Sequence, residues 1–235
     1  MVTNWLYLPL FARSGVCAPL PGESYGTVAV LSVPTNPPAQ VHPDLNLAVR
    51  GHVSTTGALR LVTYPNPSDS RAPQLYTLFG DHRTPAFSAV YQVYDWDWTS
   101  NRRGALITDP PVTLARMVVE PAEILRVPSS GYDIGNFAAD YEVMVLYASD
   151  SRITLKYTRE DNVVAGYTIH VENVCVDPNL LSLYQTLNAA GRARLPALYA
   201  GQGLGRAITA EIGVAIRDAG SFMDPRSRTD WWQGR

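Results

Sequence analysis

Histidines are the side chains whose spacing most directly reports a metal or acid–base site. The chain has four of them, and none forms a His-x-His, His-x-x-x-His or His-Glu-x-x-His pair, so no local pair of metal ligands is visible. The segment Ala165–Val174 alternates, and places His170 and Glu172 on one face of a predicted strand. These two residues are candidates for ligand contact. The commoner arrangement, and the one we favour, is an ordinary histidine on a partly exposed strand face. The histidines are His42, His52, His82 and His170.

A second candidate for ligand binding is an aromatic and acidic run. On a strand, Trp96 and Trp98 share one face, whereas Asp95 and Asp97 share the other. Exposed tryptophans beside polar groups stack on sugar rings. We favour packing of both tryptophans in the core or between domains. The triplet Arg102–Gly104 is predicted to form the turn that follows.

Two cysteines, Cys17 and Cys175, are too far apart in sequence for a zinc motif. They form either one disulfide or two buried free thiols, and the sequence leaves both open. The nucleophile elbow, the P-loop and the dinucleotide fingerprint are absent from the sequence.

Short β-branched and aromatic runs between turn residues predict a mainly β fold. The predicted helix is Asp177–Ala190, with Asp177 as N-cap and Pro178 at its first position. A soft boundary near Glu120–Ser130 divides a β-rich N-terminal region, 1–125, from a second region, 126–235. At the C-terminus, at least one of Trp231 and Trp232 is expected to pack against the body. The predicted strands are Gly26–Val33, Leu59–Tyr64, Ala86–Tyr94, Val112–Val119, Val143–Tyr147, Arg152–Tyr157 and Ala165–Val174.

Composition limits the partners. The chain has 235 residues, of which 46% are hydrophobic and 17% charged, and its net charge is −2. This balance indicates a globular protein without general attraction to nucleic acid. No apolar run approaches the roughly 18 residues of a membrane-spanning helix. The apolar segment Trp5–Phe11 is short, contains Pro9 and lacks a preceding basic region, so it is not typical of a signal peptide.

From Ser129 onward, the order of motifs resembles the lysostaphin-type (LytM-like) zinc endopeptidases, which cut peptidoglycan cross-bridges. The resemblance covers about two fifths of the chain, from Ser129 to Arg226, and it implies a LytM-like β-sheet domain with one short helix. The segments that carry it are Ser129–Ile134, Val145–Ala148, Arg152–Thr154, Leu183–Leu187, Tyr199–Gly205, Glu211–Arg217, Gly220 and Asp224–Pro225.

The resemblance also implies that the zinc site has been lost. Of the three ligand positions only Asp133 is kept, because Ser129 and Gly213 stand where the family has histidines. Thr186 and Glu211 replace the two histidines that assist catalysis. Zinc needs about three protein ligands of imidazole, thiolate or carboxylate type. We therefore expect no metal and no other cofactor.

If the analogy holds, Asp133 and Glu211 lie in one groove, near His170 and Glu172. Two carboxylates about 5–10 Å apart can hydrolyse glycosides when their pKa values differ. A purely structural role for Asp133, capping a turn, is the alternative that we favour.

The sequence thus predicts a non-catalytic, extracellular or cell-envelope protein on an inactive peptidase fold. Its expected partner is bacterial cell-wall glycan or peptide, or another protein. The alternatives are a zinc-independent polysaccharide hydrolase that uses Asp133 and Glu211, and a surface protein that assembles with itself.

Overall fold

The computed structural model describes residues 17–36, 38–64, 68–135 and 140–235. The fold is mainly β, with 36% strand and 13% helix, as predicted. The strands in these ranges are β1 (Gly26–Ala29), β2 (His52–Ser54), β3 (Phe87–Asp97), β4 (Arg102–Leu106), β5 (Leu114–Val118), β6 (Ile124–Arg126), β7 (Val143–Ala148), β8 (Arg152–Lys156), β9 (Tyr167–Glu172), β10 (Val174–Val176), β11 (Arg194–Leu198), β12 (Gly203–Ala207), β13 (Glu211–Asp218) and β14 (Ser221–Met223). The α-helices are α1 (Leu47–Arg50), α2 (Pro178–Ala189) and α3 (Arg228–Trp231), and 3-10 turns span Ala39–Val41 and Leu75–Leu78.

One large antiparallel sheet organises the molecule. Its strands lie in the order β1-β11-β7-β8-β9-β13-β5-β3-β2, with β14 paired to β13 and β4 paired to β3. A small second sheet has the order β10-β12-β6. The central strands β7, β8 and β9 are almost entirely buried, and they therefore provide a rigid platform for groups at the ends of β9 and β13.

The large sheet contains strands from both sides of the predicted boundary between regions 1–125 and 126–235. β5 of the first region pairs with β13 of the second, with Val118 opposite Glu211 and Arg116 opposite Gly213. Strands β2 to β5 of the first region thus extend the sheet begun by the second. The division of the chain into regions 1–125 and 126–235 stays a prediction.

Most predicted strands are present, and the exception is Leu59–Tyr64. In that stretch the structure has an isolated bridge between Val62 and Ser227 and no named strand. The backbone N–H of Val62 donates to the carbonyl of Arg226, so the segment is tied to the C-terminal tail and not to a ladder. Burial of both Trp231 and Trp232 confirms that this tail packs against the body.

Helix α2 follows its sequence signals. The Asp177 side chain accepts hydrogen bonds from the backbone N–H groups of Asn179 (2.8 Å) and Leu180 (3.3 Å), and Pro178 occupies the first turn. Leu180 and Tyr184 bury the inner face of the helix, which packs against β7 and β11.

A disulfide joins Cys17 to Cys175, which settles the alternatives left by the sequence. It connects the start of the described chain to β10, with the two Cα atoms 5.4 Å apart. Next to it, the backbone N–H of Leu20 donates to the carboxylate of Asp177 at 2.6 Å. The segment Trp5–Phe11 lies outside the described residues. Within the described ranges, no helix has the length and apolarity needed to cross a membrane.

Candidate functional site

An open groove of about 500 Å³ crosses the face of the large sheet where β8, β9, β13, β5 and β3 lie side by side. Its lining is polar and charged, with hydroxyl, amide, guanidinium and carboxylate groups. The lining residues are Tyr91, Arg116, Ser151, Arg152, Glu172, Asn173, Ile208, Thr209 and Glu211.

The floor of the groove is one cross-strand row. Arg152 on β8 lies opposite Glu172 on β9, Glu172 lies opposite Gly213 on β13, and Gly213 lies opposite Arg116 on β5. Directly opposed residues point to the same face of a sheet. The register therefore brings two guanidinium groups and one carboxylate together from strands that are up to 56 residues apart in sequence, as from Arg116 to Glu172.

Arg152 and Glu172 form an ion pair at one end of this row. The Arg152 Nε donates to Glu172 Oε2 at 2.7 Å. Burial raises the pKa of Glu172, whereas the charges and hydrogen bond of Arg152 and the charge of Arg116 act to lower it. The Glu172 carboxylate is thus already occupied, and it serves mainly to fix the arginine beside it.

Gly213 leaves the space in which Arg116 lies. A Cβ atom at position 213 would sit 3.2 Å from the Cβ of Glu172 and 3.7 Å from the Cζ and Nε of Arg116. The guanidinium of Arg116 thus extends across β13, with its Cζ 5.9 Å from the ring centroid of Tyr91. In the part of the chain that the structure describes, the Arg116 side chain has no hydrogen bond and no ion pair.

The rim of the groove is held by Asn173, which has a positive φ of 65°. Its side-chain amide donates to the hydroxyl of Thr209 at 2.7 Å and to the backbone carbonyl of Glu211. These bonds fix the first residue of β13. Among the described residues, the Glu211 carboxylate itself has neither a hydrogen bond nor an ion pair.

His52 adjoins the far end of the groove, where its ring lies 4.8 Å from that of Tyr91 in an edge-on arrangement. Burial and then the positive charges of Arg116, Arg103 and Arg152 lower the pKa of His52. The imidazole is therefore neutral near pH 7, and it adds no positive charge to that of Arg116.

The five positions implied by the lysostaphin resemblance do not share one groove. Glu211 and Gly213 belong to the groove described above, on β13. Ser129 forms a bridge with Gln74 and lines a different surface depression. Asp133 is exposed in a loop, where its carboxylate accepts from the backbone N–H of Gly135 at 2.6 Å, and Thr186 is exposed on α2.

His170 and Glu172 share one face of β9, as predicted, but their surroundings differ. His170 is buried, its Nδ1 lies 3.0 Å from the hydroxyl of Thr154, and its ring stacks on Phe222 with centroids 6.4 Å apart. Burial lowers the pKa of His170 to about 3, an effect that Arg217 reinforces. His170 is thus a neutral core residue outside the groove, whereas Glu172 is on its floor.

The tryptophan run forms the end of a hairpin. Trp96 is on β3 and half-buried, whereas Trp98 is in the turn and 56% exposed, with its ring 5.7 Å from that of His42. The Asp97 carboxylate accepts from the N–H groups of Thr99 and Ser100, which closes the turn. The prediction that Arg102–Gly104 form the turn is wrong, because these residues begin β4. Asp95 is exposed, and its carboxylate accepts from Arg50 at 3.3 Å.

A larger surface depression of about 700 Å³ lies between the segments 81–86 and 118–123. Its one guanidinium is already paired, because Arg83 binds both carboxylate oxygens of Glu123 at 2.7 and 2.6 Å and Asp81 at 2.9 Å. The groove on β8, β9, β13 and β5 is the better candidate, since it keeps an unpaired guanidinium. Within the described ranges, no three histidine, cysteine or carboxylate side chains are grouped so as to hold a metal ion.

Comparison with known proteins gave no match to any family model, to any curated protein or to any solved structure.

Sequence reasoning missed Arg116, Arg152 and Tyr91. The run that contains Arg116 was predicted as a strand, but its partner strand lies almost 100 residues further along the chain. The signal in the sequence that points to the site is Gly213. Because it has no side chain, a long side chain from the adjacent strand β5 can lie over β13 at this position.

Proposed function

We propose that this chain is a non-catalytic binding protein whose groove on β8, β9, β13 and β5 takes a ligand carboxylate. The observation that carries the proposal is Arg116, a half-buried residue of the groove whose guanidinium has no hydrogen-bond or ion-pair partner among the described residues. A guanidinium presents a planar fork of donors that matches a carboxylate through two parallel hydrogen bonds.

The surroundings of Arg116 favour a polar ligand. Tyr91 offers a ring face beside the guanidinium, and Thr209 and Asn173 offer hydroxyl and amide groups at the rim. Small polar ligands are commonly oriented by a few such groups above a fixed floor. The ion pair between Arg152 and Glu172 forms that floor and leaves the guanidinium of Arg116 available to a ligand.

The resemblance to inactive lysostaphin-type domains supports cell-wall peptide or glycan as the source of this carboxylate, at the outside of the cell or in the envelope. The disulfide between Cys17 and Cys175 is compatible with that location, since disulfides persist in oxidising compartments. A hydrolase that uses Asp133 and Glu211 would need both carboxylates at one bond, and only Glu211 lines the groove.

The test is a titration of the protein with soluble peptidoglycan fragments, followed by calorimetry, using the wild type and Arg116→Gln. Loss of a charge-assisted bidentate contact should weaken binding at least about tenfold. The matched control is Arg60→Gln, because Arg60 is exposed and lies outside the groove. Equal affinity for the wild type and Arg116→Gln would overturn the proposed role of the groove.

A further inference from the structure

The groove contains two opposite charges that the protein itself does not pair. Of its four charged side chains, Arg152 and Glu172 bind one another at 2.7 Å. Arg116 and Glu211 are left, and in the described ranges neither has an ion pair or a side-chain hydrogen bond. A ligand with only a carboxylate satisfies half of this arrangement.

The sheet sets the spacing of the backbone positions beneath these two charges. Glu211 and Gly213 are two residues apart on β13, so their side-chain positions lie about 7 Å apart on the same face. The guanidinium of Arg116 extends over Gly213, within 3.7 Å of where a Cβ atom would be. A charge-assisted hydrogen bond spans about 3 Å at each end. Side-chain positions about 7 Å apart suit a short ligand, whose ammonium and carboxylate are attached to the same carbon or to adjacent carbons.

We infer that the groove recognises an amino-acid zwitterion, with the ligand carboxylate on Arg116 and the ligand ammonium on Glu211. This rests on the proposed function, and adds to it the requirement for a free ammonium group. Free amino acids carry the ammonium and the carboxylate together. A larger peptide carries them together only at an end where one carbon bears both a free amine and a free carboxylate.

The ion pair beside the site explains why the charges stay available. Glu172 holds Arg152 through its Nε, which leaves Arg116 and Glu211 as the two remaining charges of the groove. Glu172 in turn does not approach Arg116 closely enough for an ion pair. Asn173 and Thr209 bind the backbone and hydroxyl groups around Glu211, and leave its carboxylate facing the groove.

The test is a titration by nuclear magnetic resonance with four probes: alanine, N-acetylalanine, alaninamide and ε-aminocaproate. Alanine should bind at least about tenfold more tightly than each of the others, because they lack the ammonium, the carboxylate or the close spacing. Glu211→Gln should remove the preference for alanine over N-acetylalanine, and Arg116→Gln should weaken both. Arg60→Gln is the matched control, and thermal unfolding of each variant checks that it is folded.

Equal binding of alanine and N-acetylalanine by the wild type would overturn this inference while leaving the carboxylate site of the proposed function intact. Absence of binding by both probes would also overturn it, and the titration with peptidoglycan fragments would then decide the proposed function separately. If a peptide that carries this end group binds more tightly than alanine, the recognised zwitterion is the end of a larger ligand.

Discussion

Replacing Asp161 by Asn should destabilise the protein by about 3–5 kcal/mol, the cost of leaving a buried ion without its partner. The side chains of Arg192 and Asp161 are 5% and 0% exposed, and two hydrogen bonds of 2.8 and 2.6 Å join them. Arg192 also donates to Asn188 on α2 and to the carbonyl of Leu146 on β7. An asparagine would place an amide N–H₂ against the guanidinium and leave its charge uncompensated. The loss is a large part of a typical total stability of about 5–15 kcal/mol.

Urea unfolding at pH 7 measures this loss, with Asp81→Asn as the matched control. Asp81 also binds an arginine, Arg83, at 2.9 Å, but its side chain is 59% exposed and solvent screens the pair. The double variant Asp161→Leu, Arg192→Leu should be more stable than Asp161→Asn, since no buried charge is then left alone. Unfolding of Asp161→Asn and Asp81→Asn at the same urea concentration, or a double variant that is the least stable of the three, would show that the buried charge of Arg192 does not depend on Asp161 for its compensation.

Two further predictions concern pH and the disulfide. The folded-state pKa of His170, about 3, lies below its unfolded value of 6.5, so this residue makes stability fall as pH falls from 6.5 towards 3. His170→Gln should therefore reduce the slope of unfolding free energy against pH in that window, by up to about 1.4 kcal/mol per pH unit; parallel curves for wild type and variant would contradict the burial argument. The double variant Cys17→Ser, Cys175→Ser opens a loop of 158 residues and should lower stability by about 2–5 kcal/mol in guanidinium unfolding. A loss below about 1 kcal/mol would mean that the cross-link restrains little in the unfolded chain.

Local signals sufficed for much of the fold. Helix α2 begins with an N-cap and a proline, and these act over four residues, so the sequence alone predicts where it starts. The alternation in Tyr167–Val171 likewise predicts β9. The short strands β11 and β12 were missed because Pro196, Gly203 and Gly205 resemble turn residues, although the structure accommodates them in ladders.

The candidate site was less predictable because it depends on register between distant strands. Glu172 was identified from its own alternating segment, but its pairing with Arg152 and its row with Gly213 and Arg116 follow from three separate ladders. A change of one residue in any of these registers would turn the side chains to the opposite face. The sequence lacks a local pattern that fixes them. For His170, the alternation of the segment predicts the face of the strand on which it lies. It does not predict that the ring of Phe222 stacks on the imidazole.

The most direct test of the groove is to map which backbone amides shift in the nuclear magnetic resonance spectrum when peptidoglycan fragments are added. We predict that the largest shifts lie at Arg116, Glu172, Asn173 and in 209–213, and that they disappear in Arg116→Gln. Shifts confined to the hairpin at Trp96–Trp98, and unchanged in Arg116→Gln, would exclude the groove as the binding site and would place binding at the exposed Trp98 instead.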